Sequence, residues 1–376
     1  MFIFKYLRYY ITTITLLISL FVCSLGATWP TIFLIGFSLF IIIGDYLIKN
    51  DTKTFNYQFK ILLDLPSYIN LPILLYFIIF SVICISNHGS EIVVGFFQKF
   101  FFLDIVSIKN SILFIDKISL IILSSLFIGI MGTVPAHELT HRKNNFFDMM
   151  IGNWLLAFSW DCAFAIEHVY GHHKNVGLPS DPATAKRNEG LYGFIIRAIV
   201  KEQKDAWSLE VARLKRRRHH FFSTKNRMLL GYFKSIVISS IMFFASGWIG
   251  LVIFLFISLI SKFLLETINY IEHYGLIRAP GNPVRPAHSW NSNHYISSIY
   301  LCNVTRHSAH HEKSNLKFWE LESYKDAPKT PFGYLSVLYL TIFFPRIYRL
   351  IMKKKLKDWD LTFATKDELK IIKELY

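Results

Sequence analysis

The chain has 376 residues, 53% hydrophobic and 18% charged, with a mean hydropathy of +0.36 and a formal net charge of +15. A soluble globular domain carries about 25% charged residues, so this composition excludes a disordered chain, a coiled coil and a small disulfide scaffold, and argues against an ordinary soluble enzyme. A greasy yet basic chain is either a membrane protein with its positive charge on one side or a nucleic-acid binder, and the apolar runs decide for the membrane.

A bilayer crossing needs about 20 apolar residues in a helix. Taken in order, the runs predict spans at about 9–27, 30–48, 67–86, 118–136, 229–247 and 249–270. Thr28-Trp29-Pro30 reads as a tight hairpin between the first two. The apolar stretch from Leu229 to Tyr270 is 42 residues, roughly 63 Å of helix and enough for two crossings. Its turn is expected near Ser246-Gly247-Trp248. Phe332–Phe344, followed by Pro345 and Arg346, reads as interfacial, with a seventh span across 332–351 as the alternative. Lys5 and Arg8 ahead of the first run suggest an uncleaved anchor, because the run is too long for a signal peptide and a second span follows at once.

The fold expected is an all-α integral membrane protein of six transmembrane helices, one membrane-embedded domain over residues 1–376. The Lys/Arg bias places both termini and the segments 49–66, 137–228 and 271–376 in the cytoplasm, with 87–117 outside. Arg213, Lys215, Arg216, Arg217 and Arg218, and likewise Lys353, Lys354, Lys355 and Lys357, then face anionic headgroups rather than nucleic acid. The four cysteines, Cys23, Cys84, Cys162 and Cys302, stand singly. They offer neither a disulfide framework nor thiolates for a fused iron domain of the rubredoxin type.

Eight of the 14 histidines fall in three short windows: His137 and His141; His168, His172 and His173; His307, His310 and His311. Uniform scatter would put fewer than one there. His273, just past the sixth span, is a ninth, and a six-span topology brings all nine to the cytoplasmic face. At helical spacing His137 and His141 share a face, as do His168 and His172 and the three of the last window. His173 points about 100° away from His172, so that pair can serve two metals.

Nine imidazoles exceed any single site and fit two metals with four or five nitrogens each. Imidazole suits zinc, copper, iron and nickel, and zinc has no redox chemistry, so a di-iron, O₂-activating centre is the expectation. Glu138, Glu167, Asp181, Glu272 and Asp161 are the carboxylates placed to support ligand histidines from behind. His88, His219, His220, His288 and His294 stand apart and read as packed or surface residues. His137-Glu138-Leu139-Thr140-His141 also matches the H-E-x-x-H of zinc proteases, a reading that leaves seven clustered histidines without a role.

At these residues the sequence resembles the membrane-bound alkane 1-monooxygenases of the membrane fatty-acid desaturase and hydroxylase superfamily. The resemblance runs through His137–His141, the segment Glu167-His168-Val169-Tyr170-Gly171-His172-His173 with Asp181-Pro182 after it, and Asn269-Tyr270-Ile271-Glu272-His273-Tyr274-Gly275. It continues through His288-Ser289-Trp290-Asn291 and Arg306-His307-Ser308-Ala309-His310-His311. It implies a bacterial inner-membrane enzyme whose nine histidines hold two non-haem iron ions and which inserts one atom of O₂ into a terminal C–H bond of an alkane. Electrons would come from a separate rubredoxin and its reductase. Thr140, Val169-Tyr170, Ala309 and the Lys313–Trp319 segment depart from the family pattern, between or beyond the ligand positions. The alternatives are a fatty-acyl desaturase or aryl-methyl hydroxylase of the same superfamily and, outside it, a non-catalytic transporter or metal-binding membrane protein.

Overall fold

A computed structural model describes residues 4–48, 50–86 and 88–376, and among these it is helical throughout, with no strand. Lys49 and Asn87, the first residues of two predicted inter-helix segments, lie outside the described residues. Among the described residues, five helices are long and apolar enough to cross a membrane.

The first, α1 (Ile11–Ser24), is prolonged backwards by a short helix and a 3₁₀ turn, so that the apolar rod runs from Lys5 to Ser24. It turns back through Gly26 and Ala27, both at positive φ, into α2 (Trp29–Leu47), with Pro30 in its first turn. Gly26 is required here: a Cβ would stand 2.3 Å from Ser111 Oγ, while the next amide, Ala27 N–H, donates to that hydroxyl at 2.8 Å.

α3 (Ile61–Ile85) begins earlier than the apolar run and carries Pro66 and Pro72. Outside the predicted spans, the segment after it folds into α4 (Glu91–Phe101) and α5 (Ile105–Ser111). α6 (Phe114–Thr140) overshoots its predicted end by a turn, so His137 lies inside the helix. The polar residues there are buried against the rest of the protein, and the helix therefore continues past its apolar stretch. One wide π turn, Ile128–Thr133, interrupts it.

α7 (Phe146–Ala157) is capped by Asn145, whose side chain accepts from two first-turn amides, and α8 (164–175) carries the second histidine window. α9 (Leu191–Arg216) is polar on one side. α10 (Arg227–His273) is 47 residues long and breaks at Ser246 (φ −149°, ψ 22°) and Gly247 (φ 63°, ψ −157°). Such a φ/ψ pair is open essentially to glycine alone. The carbonyl of Ala245 at the break accepts from Ser90 N–H at 2.8 Å. The two arms are about 28 Å and 39 Å long, each comparable to a hydrocarbon core.

After α10 come α11 (Tyr295–Tyr300), α12 (His307–Glu312), α13 (Tyr334–Phe343), α14 (Pro345–Thr362) and α15 (Lys366–Leu375). At about 15 Å α13 is too short to cross a membrane alone. Its Leu335, Val337 and Leu338 are buried, and it packs on α2 and α10.

α10 is the hub, packing on α3, α6, α7, α9 and α13. Phe77, Leu123, Phe127 and Ile257 fill the interior. Short polar contacts stitch the apolar helices together: Thr13 to Asn70 at 2.6 Å, Thr31 to Ser119 at 3.0 Å, and Ser125 to the Ile257 carbonyl at 3.1 Å. Such bonds contribute about 0.6 kcal/mol each between membrane helices. Phe21, Phe233, Trp248, Val252 and Leu259 are exposed on the outer surface, as a lipid-facing belt requires. The chain is an integral membrane protein.

Candidate metal centre

The C-terminal ends of α6 and α10 meet α8 and α12 at one end of the bundle, and nine histidines converge there. They form two groups, His137, His141, His168, His173 and His310, and His172, His273, His307 and His311; within each, one nitrogen per ring lies within 4.8 Å of all the others. His141 and His173 are half-buried and the other seven are buried.

In the five-membered group the Nε2 atoms of His137 and His168 are 2.8 Å apart, those of His168 and His173 3.1 Å, and those of His173 and His310 3.0 Å. In the four-membered group the spacings are 3.2 Å for His172 and His311, 3.0 Å for His311 and His307, and 3.1 Å for His307 and His273. The rings of His173 and His311, one from each group, lie 4.5 Å apart.

The helical faces expected from sequence hold for His137 and His141 but fail twice. His168 and His172 were expected to share a face, yet they join different groups, and His173 joins His168. The cause is the π turn His168–His172: its i→i+5 geometry lays residue 173, not 172, above residue 168. In α12, His307 and His311 stay together while His310, three residues on from His307, swings to the other group. The adjacent pairs His172/His173 and His310/His311 are therefore both shared between groups.

The donor set fits two transition-metal ions. Burial pushes His168, His173, His307, His310 and His311 well below the ordinary histidine range, and the neighbouring imidazoles push the same way. Each ring is then neutral with a lone pair to give. Two such nitrogens held at about 2.1 Å from one ion, at a right angle, stand about 3.0 Å apart, the spacing observed in both groups. His141 Nε2 is buried without a hydrogen-bond partner.

Outer bonds fix two tautomers. His172 Nδ1–H donates to Asp181 at 3.0 Å, and Asp181 also accepts from the Thr184 hydroxyl at 2.6 Å. Burial alone would raise Asp181, but His172 and Thr184 outweigh it and hold the carboxyl below its ordinary range. His273 Nδ1–H donates to the His288 carbonyl at 3.2 Å. Both leave Nε2 bare and aimed inward. Asp181→Ala is expected to weaken metal retention in the four-histidine group about 10–100-fold, measured by competition with a chelator; an unchanged affinity would refute the role.

The other carboxylates do different work. Glu138 turns away from both groups and accepts from Arg142 at 2.9 Å; the same guanidinium reaches Asp64 at 2.7 Å and Asp148 at 3.1 Å. That removes Glu138 as the general base of a zinc protease. Glu167 packs under Gly171, where a Cβ would stand 2.4 Å from its Oε1. Asp161 pairs with Lys262 at 2.8 Å.

Glu272 differs again. Its Oε2 lies 3.3 Å from the inward Nε2 of His307, and its Oε1 is buried without a partner. It lines an almost wholly apolar cavity of about 60 Å³ together with Gly129, Ile130 and Thr133 of the α6 π turn and Leu265, Ile268, Leu335 and Leu338. A second cavity, about 520 Å³ and polar, opens beside His141 between Arg142, Lys143 and Lys317. His88, His219 and His220 are exposed, and His294 is half-buried.

A profile of the fatty acid desaturase family matches residues 118–341. Alkane 1-monooxygenase 1 of Pseudomonas aeruginosa is 35% identical over 236 residues, 61% of each chain, so the match spans less than two thirds of that relative. Alkane 1-monooxygenase 2 of Alcanivorax borkumensis is 33% identical over 281 residues, 72% of each chain. The xylene/toluene monooxygenase hydroxylase component of Pseudomonas putida is 32% identical over 249 residues, covering 66% of this chain and 67% of the relative.

Proposed function

Because the chain belongs to the fatty acid desaturase family, we propose that its two histidine groups hold one non-haem iron ion each and that it is a membrane alkane 1-monooxygenase. The reaction consumes an alkane, O₂, two electrons and two protons and yields a 1-alkanol and water. The observation that carries this reading is the convergence of nine imidazoles into a five-donor and a four-donor group at one end of an apolar helix bundle. When bound, the two irons supply the O₂ activation that no side chain can.

The residues of the chain do the rest. Asp181 and the His288 carbonyl hold His172 and His273 in the ligating tautomer. The apolar cavity among α6, α10 and α13 takes an aliphatic chain and excludes water, and Glu272, one of its lining residues, lies beside His307. The cationic mouth at Arg142, Lys143 and Lys317, with half-buried His141 at its edge, suits an acidic electron donor. That donor is a rubredoxin with its reductase.

The break in α10 supports six crossings with both termini and the metal centre on the cytoplasmic face of a bacterial inner membrane. The exposed arginines of Arg216–Arg218 and the exposed Lys353, Lys354 and Lys357 then lie at the anionic leaflet.

The test is metal content together with alkane-dependent O₂ consumption by the purified protein, supplied with rubredoxin and its reductase. About two irons per chain and 1-octanol from octane are expected. A preparation active with a single zinc and no iron would overturn the reading. Xylene and a fatty acid, run in parallel, separate it from aryl-methyl hydroxylation, which the similarity to the xylene/toluene enzyme makes the second reading, and from desaturation.

A further inference from the structure

His288 reads from sequence as a packed residue, yet it sits behind a ligand. Its imidazole is fully buried and belongs to neither histidine group. Its Nδ1 accepts from the Arg285 amide at 3.0 Å, which places its proton on Nε2, and Nε2–H donates to Glu368 Oε1 at 2.8 Å. Glu368 stands in the first turn of α15, completely buried. Its other oxygen accepts from Arg285 at 2.7 Å and from the Thr365 amide at 2.7 Å, while Glu368 N–H donates to the Thr365 hydroxyl at 3.3 Å. These bonds outweigh the cost of burial and hold the carboxyl at about 2.

Between Arg285 and Trp290 the chain has one short 3₁₀ turn and otherwise no regular structure, so bonds from outside fix its place. On one side it grips the end of α10. The His288 carbonyl accepts from His273 Nδ1–H, Trp290 N–H donates to the Glu272 carbonyl at 2.8 Å, and the Trp290 indole donates to the Tyr274 carbonyl at 2.9 Å. On the other side it is held by the C-terminal helices, through Glu368 and through the Trp359 indole, which donates to the Ala287 carbonyl at 2.7 Å.

We propose that Glu368 is a positioning residue for the metal centre: by holding His288 it sets the carbonyl that orients His273, so that α15 fixes one donor of the four-histidine group. His172 has its carboxylate directly behind it in Asp181. His273 has its carboxylate one residue further back. Loss of Glu368 strips His288 of its acceptor and leaves a buried N–H unpaired, so the strip, and the carbonyl with it, shifts.

This inference rests on the iron reading, and the experiment separates the two. Full-length protein loaded with iron is challenged with a chelator and examined by Mössbauer spectroscopy, as wild type and as E368A, E368Q and K370G. E368A is expected to release one of two irons about tenfold faster and to alter one of two quadrupole doublets, since an outer partner of a ligand histidine is worth about 10–100-fold in affinity. E368Q keeps an acceptor oxygen for His288 but turns an NH2 toward Arg285 and the Thr365 amide, and is expected to fall between wild type and E368A in both readouts. K370G, at an exposed position of the same helix, loosens α15 without touching His288 and leaves both readouts unchanged. Should E368A fail to fold, E368D is read in its place, since it keeps the charge beside Arg285 but falls a methylene short of His288. Two irons in wild type with E368A indistinguishable from it, or K370G reproducing E368A, overturns the role of Glu368. A wild type that binds no iron overturns the iron reading and this inference with it.

Discussion

His311→Ala is expected to leave the protein with about one iron per chain and to lower alkane hydroxylation more than a hundredfold, a larger loss than removal of an outer partner causes. His310→Ala, one residue away, is expected to cost as much activity but to disturb the other iron. The reason is geometric. His311 Nε2 approaches His172 and His307, at 3.2 Å and 3.0 Å, whereas His310 Nε2 approaches His173 at 3.0 Å. His311 belongs to the group with four donors, so its loss leaves three, and that ion is expected to dissociate. His310 belongs to the group with five, so four remain, and that ion is expected to stay bound with altered geometry. Metal analysis therefore separates two variants that activity alone cannot. Equal iron loss in both would mean that the donors form one mixed site rather than two groups.

Which residues gather at the centre was legible in the sequence, because clustering of a scarce residue type survives any detail of local geometry. Which group each joins was not. That depends on how far the chain turns between 168 and 173, and one wide turn moves His173 onto the face that regular α-helical spacing assigns to His172. The same limit governs the carboxylates. Adjacency to a ligand made Glu138 a candidate support, but Arg142, one turn along, captures it together with Asp64 and Asp148, and only tertiary packing brings those acids there. Asp181, another of the candidate carboxylates, does stand behind a histidine, at His172.

His288 was read as a packed residue although it stands in a segment that carries the resemblance, because nothing in its spacing ties it to a ligand. Its partner Glu368 is 80 residues away, and a contact of that range leaves no trace in spacing. The helical architecture could be read from the apolar runs, including the break at Ser246–Gly247. The ends of α6 and α10 could not, because the buried histidine cluster lets a helix continue where its apolar pattern stops.

Lys262 carries the largest stability effect expected in the chain. It lies buried in the second arm of α10, with its ammonium 2.8 Å from Asp161, 3.0 Å from Glu202 and 2.8 Å from Glu266, and Glu266 also accepts from Asn269 at 3.1 Å. One cation thus faces three buried acids. Burial and the nearby Glu266 push the Glu202 carboxyl up, so the cluster is already short of positive charge. Lys262→Leu strands the acids without compensation, and breaking a buried ion pair from one side costs about 3–5 kcal/mol. The penalty deepens as pH rises, because a carboxyl raised in the folded state loses stability as the unfolded chain ionises.

The measurement is the rate of thermal inactivation in detergent, since a membrane protein of this size is not expected to unfold reversibly. Adding D161N, E202Q and E266Q to Lys262→Leu removes the stranded charge and is expected to recover most of the loss. A lone Lys262→Leu within about 1 kcal/mol of wild type would show that water or a proton already neutralises the acids. The consequence reaches the metal centre. Asp161 precedes α8, which carries His168, His172 and His173; Glu202 lies on α9, packed against α8; and α10 ends in His273. One ammonium ties together the elements that deliver four of the nine imidazoles, so both irons are expected to leave Lys262→Leu faster than they leave wild type.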